Sequence, residues 1–227
     1  MSGKIHRYID ETGDPCFYGK GRTSIIGQNG VSKTYILGMV NLHEDIGQIS
    51  DRIQDKAQAI QNNPYYLSVP SVQKRIQQYG RFIFRAKDDI PEIRKEFYDL
   101  LREIDFTLQA VVGRKIESVF KSQHNSDENM FYADLLSHLL KDKLDNHKLV
   151  LNIAQRGSST SKINLRIALQ KAKSRALRSP KHSKKNMDCQ VAFNVQPYHS
   201  DPILSLTDYS LWTVQRVFEK GEIRFYE

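Results

Sequence analysis

Apolar and polar residues alternate along Ile5-His6-Arg7-Tyr8-Ile9-Asp10-Glu11-Thr12-Gly13-Asp14, and the alternation stops at three closely spaced carboxylates and a glycine. That pattern predicts a strand over about Lys4 to Asp10 that ends in a site, with Gly13-Asp14-Pro15 turning the chain. A second strand is expected near Ser24 to Ile26, and a loop at Gln28-Asn29-Gly30. Thr34 to Leu42 is almost continuously apolar, which predicts a strand buried on both faces. Ile46, Ile49, Ile53 and Ile60 recur at roughly helical spacing, so Ile46 to Gln61 reads as a helix ended by Asn62-Asn63-Pro64. The polar stretch that follows, about 62–80, reads as an insertion, with a short helix starting at Pro70.

Arg81 to Arg85 is expected as a short strand. Asp89-Ile90-Pro91-Glu92 has the order of a helix start, with Asp89 as the cap, and the helix should run to about Ile104. Phe106 to Gly113 alternates and is β-branched enough for a strand. Met130 to Leu144 carries a leucine-rich apolar face, as a packed helix does. Strand Lys148 to Ala154, helix Ile163 to Leu177, strand Gln190 to Val195 and helix Leu204 to Glu219 complete the pattern, with Asp201-Pro202 punctuating the last helix. Strands cluster first and later alternate with helices, which predicts an α/β mixed sheet with helices on its faces. The 227 residues suit one domain, 1–227, with the 62–80 insertion and a basic loop around 178–187.

Composition adds a direction. The net charge is +8 and the isoelectric point about 9.4, so a polyanion is the natural partner. Between Asn146 and Met187 there is no Asp or Glu. Lys171, Lys173, Arg175, Arg178, Lys181, Lys184 and Lys185 therefore form a one-signed run that calls for an anion or for acidic helices elsewhere in the fold. Lys87, Lys115 and Arg156 are expected near strand ends, where α/β sheets carry their sites. Two distant cysteines, Cys16 and Cys189, make neither a disulfide framework nor a zinc motif. With no apolar leader or membrane-length run, the expectation is a soluble cytoplasmic protein with no membrane partner.

Two aspartates stand out because of their surroundings. Asp10 shares a strand face with Tyr8 and His6, and alternation turns Glu11 to the other face. Asp208 shares a helix face with Leu204, Leu211 and Phe218. A carboxylate among apolar residues needs a cation or donors. An early-strand Asp10 and a late-helix Asp208 make a pair of the kind that holds Mg²⁺ or Mn²⁺; turn chemistry at Asp10 and a salt bridge at Asp208 are the plainer readings.

Tyr8 to Asp14, Phe84-Arg85-Ala86-Lys87-Asp88 and Leu204 to Arg216 occur in an order and spacing that resemble the motifs of the DUF3800 family. The resemblance implies an RNase H-like fold and a metal-dependent nuclease or related phosphoryl-transfer enzyme acting on DNA or RNA. It places Asp10, Glu11 and Asp208 at the catalytic centre, with Asp88 as a further candidate metal ligand. Ser205 and Arg85 depart from the glutamine and histidine the family often has. The alternative expectation is a non-catalytic nucleic-acid-binding or interaction subunit with a degenerate acidic site, working with a protein partner or as a homo-oligomer.

Overall fold

The computed structural model describes residues 4–28, 30–144, 148–178 and 189–225. Five strands form one sheet: β1 (Lys4–Gly13), β2 (Thr34–Leu42), β3 (Phe106–Arg114), β4 (Lys148–Ala154) and β5 (Gln190–Gln196). Their spatial order is β3-β2-β1-β4-β5. β1 pairs antiparallel with β2 and parallel with β4, so β2 alone runs against the rest. The result is an open mixed sheet with helices on its faces, the α/β architecture expected from the sequence. β2 and β4, the two strands that flank β1, are the most apolar. Tyr35, Ile36, Leu37 and Val40 of β2 are fully buried, as a near-continuous apolar run requires, whereas the edge strands β3 and β5 alternate between covered and exposed residues.

Helices cover both faces. One core packs Ile9, Leu37 and Leu151 beneath α5 (Glu117–His124), α6 (Glu128–Leu140) and α7 (Lys162–Leu177). The other packs Tyr8 and Val40 beneath α1 (Ile46–Asn62), α4 (Pro91–Leu101) and α8 (Pro202–Lys220). Residues 62–80, expected as an insertion, form α2 (Pro64–Leu67) and α3 (Pro70–Tyr79), and their Tyr66 and Val72 join this second core.

Three local expectations are corrected. Residues 24–26 form no sheet strand; Ser24 only bridges Tyr18 in a small loop. Arg81 to Arg85 form no strand; Phe82 and Phe84 instead bury their rings in the second core, and the sheet is complete without them. Asp89 does not cap α4. The cap position falls on Ile90 and lacks a side-chain bond, while Asp89 turns inward to Arg75 and Tyr209. Asp201 does cap α8, accepting from the Ile203 N–H at 3.0 Å.

Gly38 sits opposite Asp10 in the β1–β2 register. A methyl group there would lie 2.3 Å from Leu211 Cδ2 and 2.8 Å from its Cγ, so the missing side chain is what lets α8 lie close on the sheet. Leu211 is fully buried and has little room to move. Gly38→Ala is therefore expected to cost about 1–3 kcal/mol by overpacking. Denaturant unfolding reads this directly, and an unchanged midpoint would mean that α8 is not seated by this contact.

Candidate active site

β1 continues to Gly13, so Asp10 is an internal strand residue rather than its last. Alternation still holds. Tyr8, Asp10 and Thr12 face α8, and Thr12 Oγ1 bonds Gln215 Oε1 at 2.8 Å. Asp208 projects from α8 toward the same place and accepts the Ala86 N–H at 2.7 Å. Glu11 lies on the opposite face, where Arg156 Nη1 donates to its Oε1 at 3.1 Å. The second oxygen, Oε2, is buried with no hydrogen-bond partner.

These groups meet at the end of β1 beside a cleft of about 770 Å³, whose walls include Glu11, Arg85, Lys87, Arg156, Asp208 and Trp212. Asp10 is just behind the wall, 7% exposed, with its Oδ1 accepting the Glu11 N–H at 2.8 Å. The carboxylates feel one another. Burial, then Glu11 and Asp208, hold the Asp10 carboxyl well above its ordinary range. Burial raises Glu11 despite the opposing pull of Arg156 and Arg85. Burial likewise pushes Asp208 up to about 6, against Arg85 and the Ala86 N–H. Tyr35 and Tyr132, both fully buried with unpartnered hydroxyls, are pushed well above the ordinary phenol range by burial and then by Glu11.

A raised carboxyl pKa has a fixed sign. The folded protein holds protons that the unfolded chain releases, so this stability is complete below the ordinary value near 3.8 and is lost as pH rises through about 6. Metal-free protein is therefore expected to lose thermal stability from about pH 4 to pH 6 through Asp208, and the raised Asp10 and Glu11 carboxyls act in the same direction. Asp14, Asp134 and Glu219 have lowered values and act the other way, in the more acidic range below their ordinary values. Melting curves across pH 4–7 test this, and Asp208→Asn should flatten the slope. A wild-type slope that instead rises from pH 4 to 6 would contradict the crowding.

Other sequence candidates fall elsewhere. Lys115 is buried, with Nζ bound to Asp14 Oδ1 and the Cys16 carbonyl, both at 3.0 Å. Its ammonium is thus a structural cation and not a surface contact for phosphate. Asp88 lies half exposed on the outer side of the 86–88 turn, 3.7 Å from Arg85 Nε, and does not line the cleft. On α7, Lys171 and Arg175 pair with Asp134 of α6 at 3.2 and 2.8 Å, so the acidic partner that the local sequence lacks comes from another helix. Lys173 on α7 and Arg178, which caps its C-terminus, are exposed outside the cleft. Lys181, Lys184 and Lys185, with the rest of the expected basic loop beyond Arg178, lie outside the described residues.

Sequence reasoning missed the support behind the site. Arg75 Nη2 lies 2.5 Å from Asp89 Oδ1, and its Nη1 donates to the Ile83 carbonyl at 2.9 Å. Asp89 Oδ2 accepts the Arg85 N–H at 2.8 Å and the Tyr209 hydroxyl at 2.5 Å. The same loop presents the Ala86 N–H to Asp208. An isolated Arg-Asp pair carries no local pattern, so no sequence signal marks this lock.

No group of three or more His, Cys, Asp or Glu side chains among the described residues is gathered as a ready-made metal cage. No helix among them is long and apolar enough to cross a membrane. No family model matches the chain, and no curated protein matches it. Among solved structures the chain is similar to one titled "Structure of the PCNA:RNase HII complex from Archaeoglobus fulgidus", with 10% identity and a TM-score of 0.44 over 97% of this chain and 75% of that one. A likeness that low carries no argument about chemistry.

Proposed function

We propose that the cleft at the end of β1 is the active site of a Mg²⁺- or Mn²⁺-dependent nuclease, or a related phosphoryl-transfer enzyme, acting on DNA or RNA. The observation that carries this reading is the convergence of Asp10, Glu11 and Asp208 on the end of β1: Glu11 and Asp208 add to burial in raising the Asp10 carboxyl, and the buried Glu11 Oε2 has no hydrogen-bond partner. Buried negative charge of this kind is costly until a cation neutralises it. Mg²⁺ suits a sparse set, since it takes one or two carboxylates and completes its shell with water and phosphate. Asp10 and Asp208, which share a face, would hold the ion, which when bound would supply charge neutralisation and an acidified water. Arg85, Lys87 and Arg156, on the same walls, orient the phosphodiester and offset its charge. A nucleic acid is the polyanion that the net charge of +8 favours.

One observation favours a second reading. Arg156 already occupies Glu11 and also donates to the Gly13 carbonyl at 3.3 Å, so a cation from the chain itself stands where the acidic set is most crowded. In that reading the protein binds nucleic acid without cutting it. Titration calorimetry with Mg²⁺ and Mn²⁺, run beside cleavage assays on single- and double-stranded DNA and RNA, separates the two. Binding of an ion together with ion-dependent cleavage supports the enzyme. Nucleic-acid binding with neither result leaves the binding subunit.

A further inference from the structure

A second cavity, of about 680 Å³, opens between α4 and α8 and shares Lys87, Trp212 and Arg216 with the walls of the cleft. Six cations line it: Lys87, Arg94, Lys95, Arg102, Arg216 and Arg224. Among the described residues, Asp99 pairs with both Lys95 and Arg102, and Glu222 pairs with Arg216 and Arg224. The groove therefore stays strongly positive after its own ion pairs are counted.

Its geometry is also prepared. The Arg94 guanidinium lies 4.9 Å from the centre of the Trp212 ring, and that of Arg216 lies 5.3 Å from it. Arg94 Nη1 is tied to the carbonyl oxygens of Ala86 at 3.0 Å and Asp89 at 2.5 Å, the loop that also holds Asp208. Two planar forks are thus fixed on one indole, with less side-chain freedom to lose when they meet an anion. Trp212 lies four residues beyond Asp208 on α8, about 6 Å along the helix axis at 1.5 Å per residue. A chain of phosphates lying on this groove would run straight to the carboxylates.

We infer that the α4–α8 groove is the track for the sugar-phosphate backbone of a nucleic-acid strand, holding it by phosphate contacts while one phosphate sits in the cleft. The inference rests on the nucleic-acid reading above, but not on cleavage. Contacts of this kind are sequence-independent and weaken steeply with salt.

The test is binding of labelled DNA and RNA oligonucleotides, single-stranded and duplex, in buffer containing EDTA. Lys95 and Arg102 are 78% and 80% exposed, so the double variant Lys95→Ala/Arg102→Ala should fold normally. It is expected to bind roughly tenfold more weakly at low salt, and the slope of log affinity against log salt should fall by about 1.4 for a single strand, two contacts at about 0.7 each. Trp212 is the only tryptophan, so its emission should change on binding and recover as salt is added. Trp212→Ala should lose about fivefold or more, and Trp212→Phe, which keeps an aromatic face, should stay within about twofold. If oligonucleotides bind while the double variant keeps wild-type affinity and slope, or if none bind the wild type at low salt, the groove is not the track. If the double variant loses binding and no divalent ion supports cleavage, the track stands and the nuclease reading alone falls. Salt-sensitive binding of an acidic protein, with no oligonucleotide bound under the same conditions, would overturn the inference in favour of a protein partner.

Discussion

Arg75→Ala is expected to cost about 3–5 kcal/mol of folding stability, the penalty for stripping a buried charge of its partner. Arg75 is 5% exposed and Asp89 is 3% exposed. Burial holds the Asp89 carboxyl above its ordinary range even with Arg75 beside it. Without that guanidinium, Asp89 must stay charged in a core or take up a proton, and its grip on the Arg85 N–H weakens in either case. Phe82 also loses the guanidinium that lies 4.7 Å from the centre of its ring. Urea unfolding measures the loss. The double variant Arg75→Met/Asp89→Leu should lose less than Arg75→Ala alone, because no orphaned charge remains. A loss under about 1 kcal/mol for Arg75→Ala would mean that the pair does not hold the loop.

Asp10→Asn is expected to separate stability from function. Burial and two neighbouring carboxylates disfavour a charged Asp10, so a neutral amide costs the fold nothing on that account and the metal-free protein should melt at an equal or higher temperature. The same change removes a proposed ligand. Loss of supporting groups around bound metals already costs 10–100-fold, so Mn²⁺ affinity should fall by at least about 100-fold, with cleavage falling alongside. Calorimetry and melting curves on one preparation measure both. A variant that melts lower yet binds Mn²⁺ as well as wild type would remove Asp10 from the site and assign it a structural role.

The sheet, and the burial of Asp10 and Asp208 on facing sides of β1 and α8, were legible because each rests on a pattern that survives folding. β2 is apolar at nearly every position, and only a doubly covered strand reads so. An aspartate on an apolar helix face has few physical explanations, and α8 does bring Asp208 to the face that Asp10 occupies. The misreadings came from local patterns that distant residues override. Asp89 before Pro91 is a sound cap by spacing, yet Arg75 and Tyr209 offer it more in the core. The α7 cations seemed unopposed only because Asp134, on a neighbouring helix, is far away in the chain. Residues 82–85 have strand-like composition but no neighbouring strand with which to bond.

The separation of Asp10 and Asp208 along the chain has a consequence for timing. Closing such a long loop must precede the contact that rewards it, and topologies of that kind fold slowly. β1 can pair with β2 early, but the acidic cluster is assembled only when α8 settles over Gly38. Until then the chain carries Asp10 and Glu11 as ordinary solvated carboxylates, with ordinary proton affinities and no common cation. Acquisition of the raised pKa values would therefore report the last docking event in folding, and a pH jump during refolding would show when it happens.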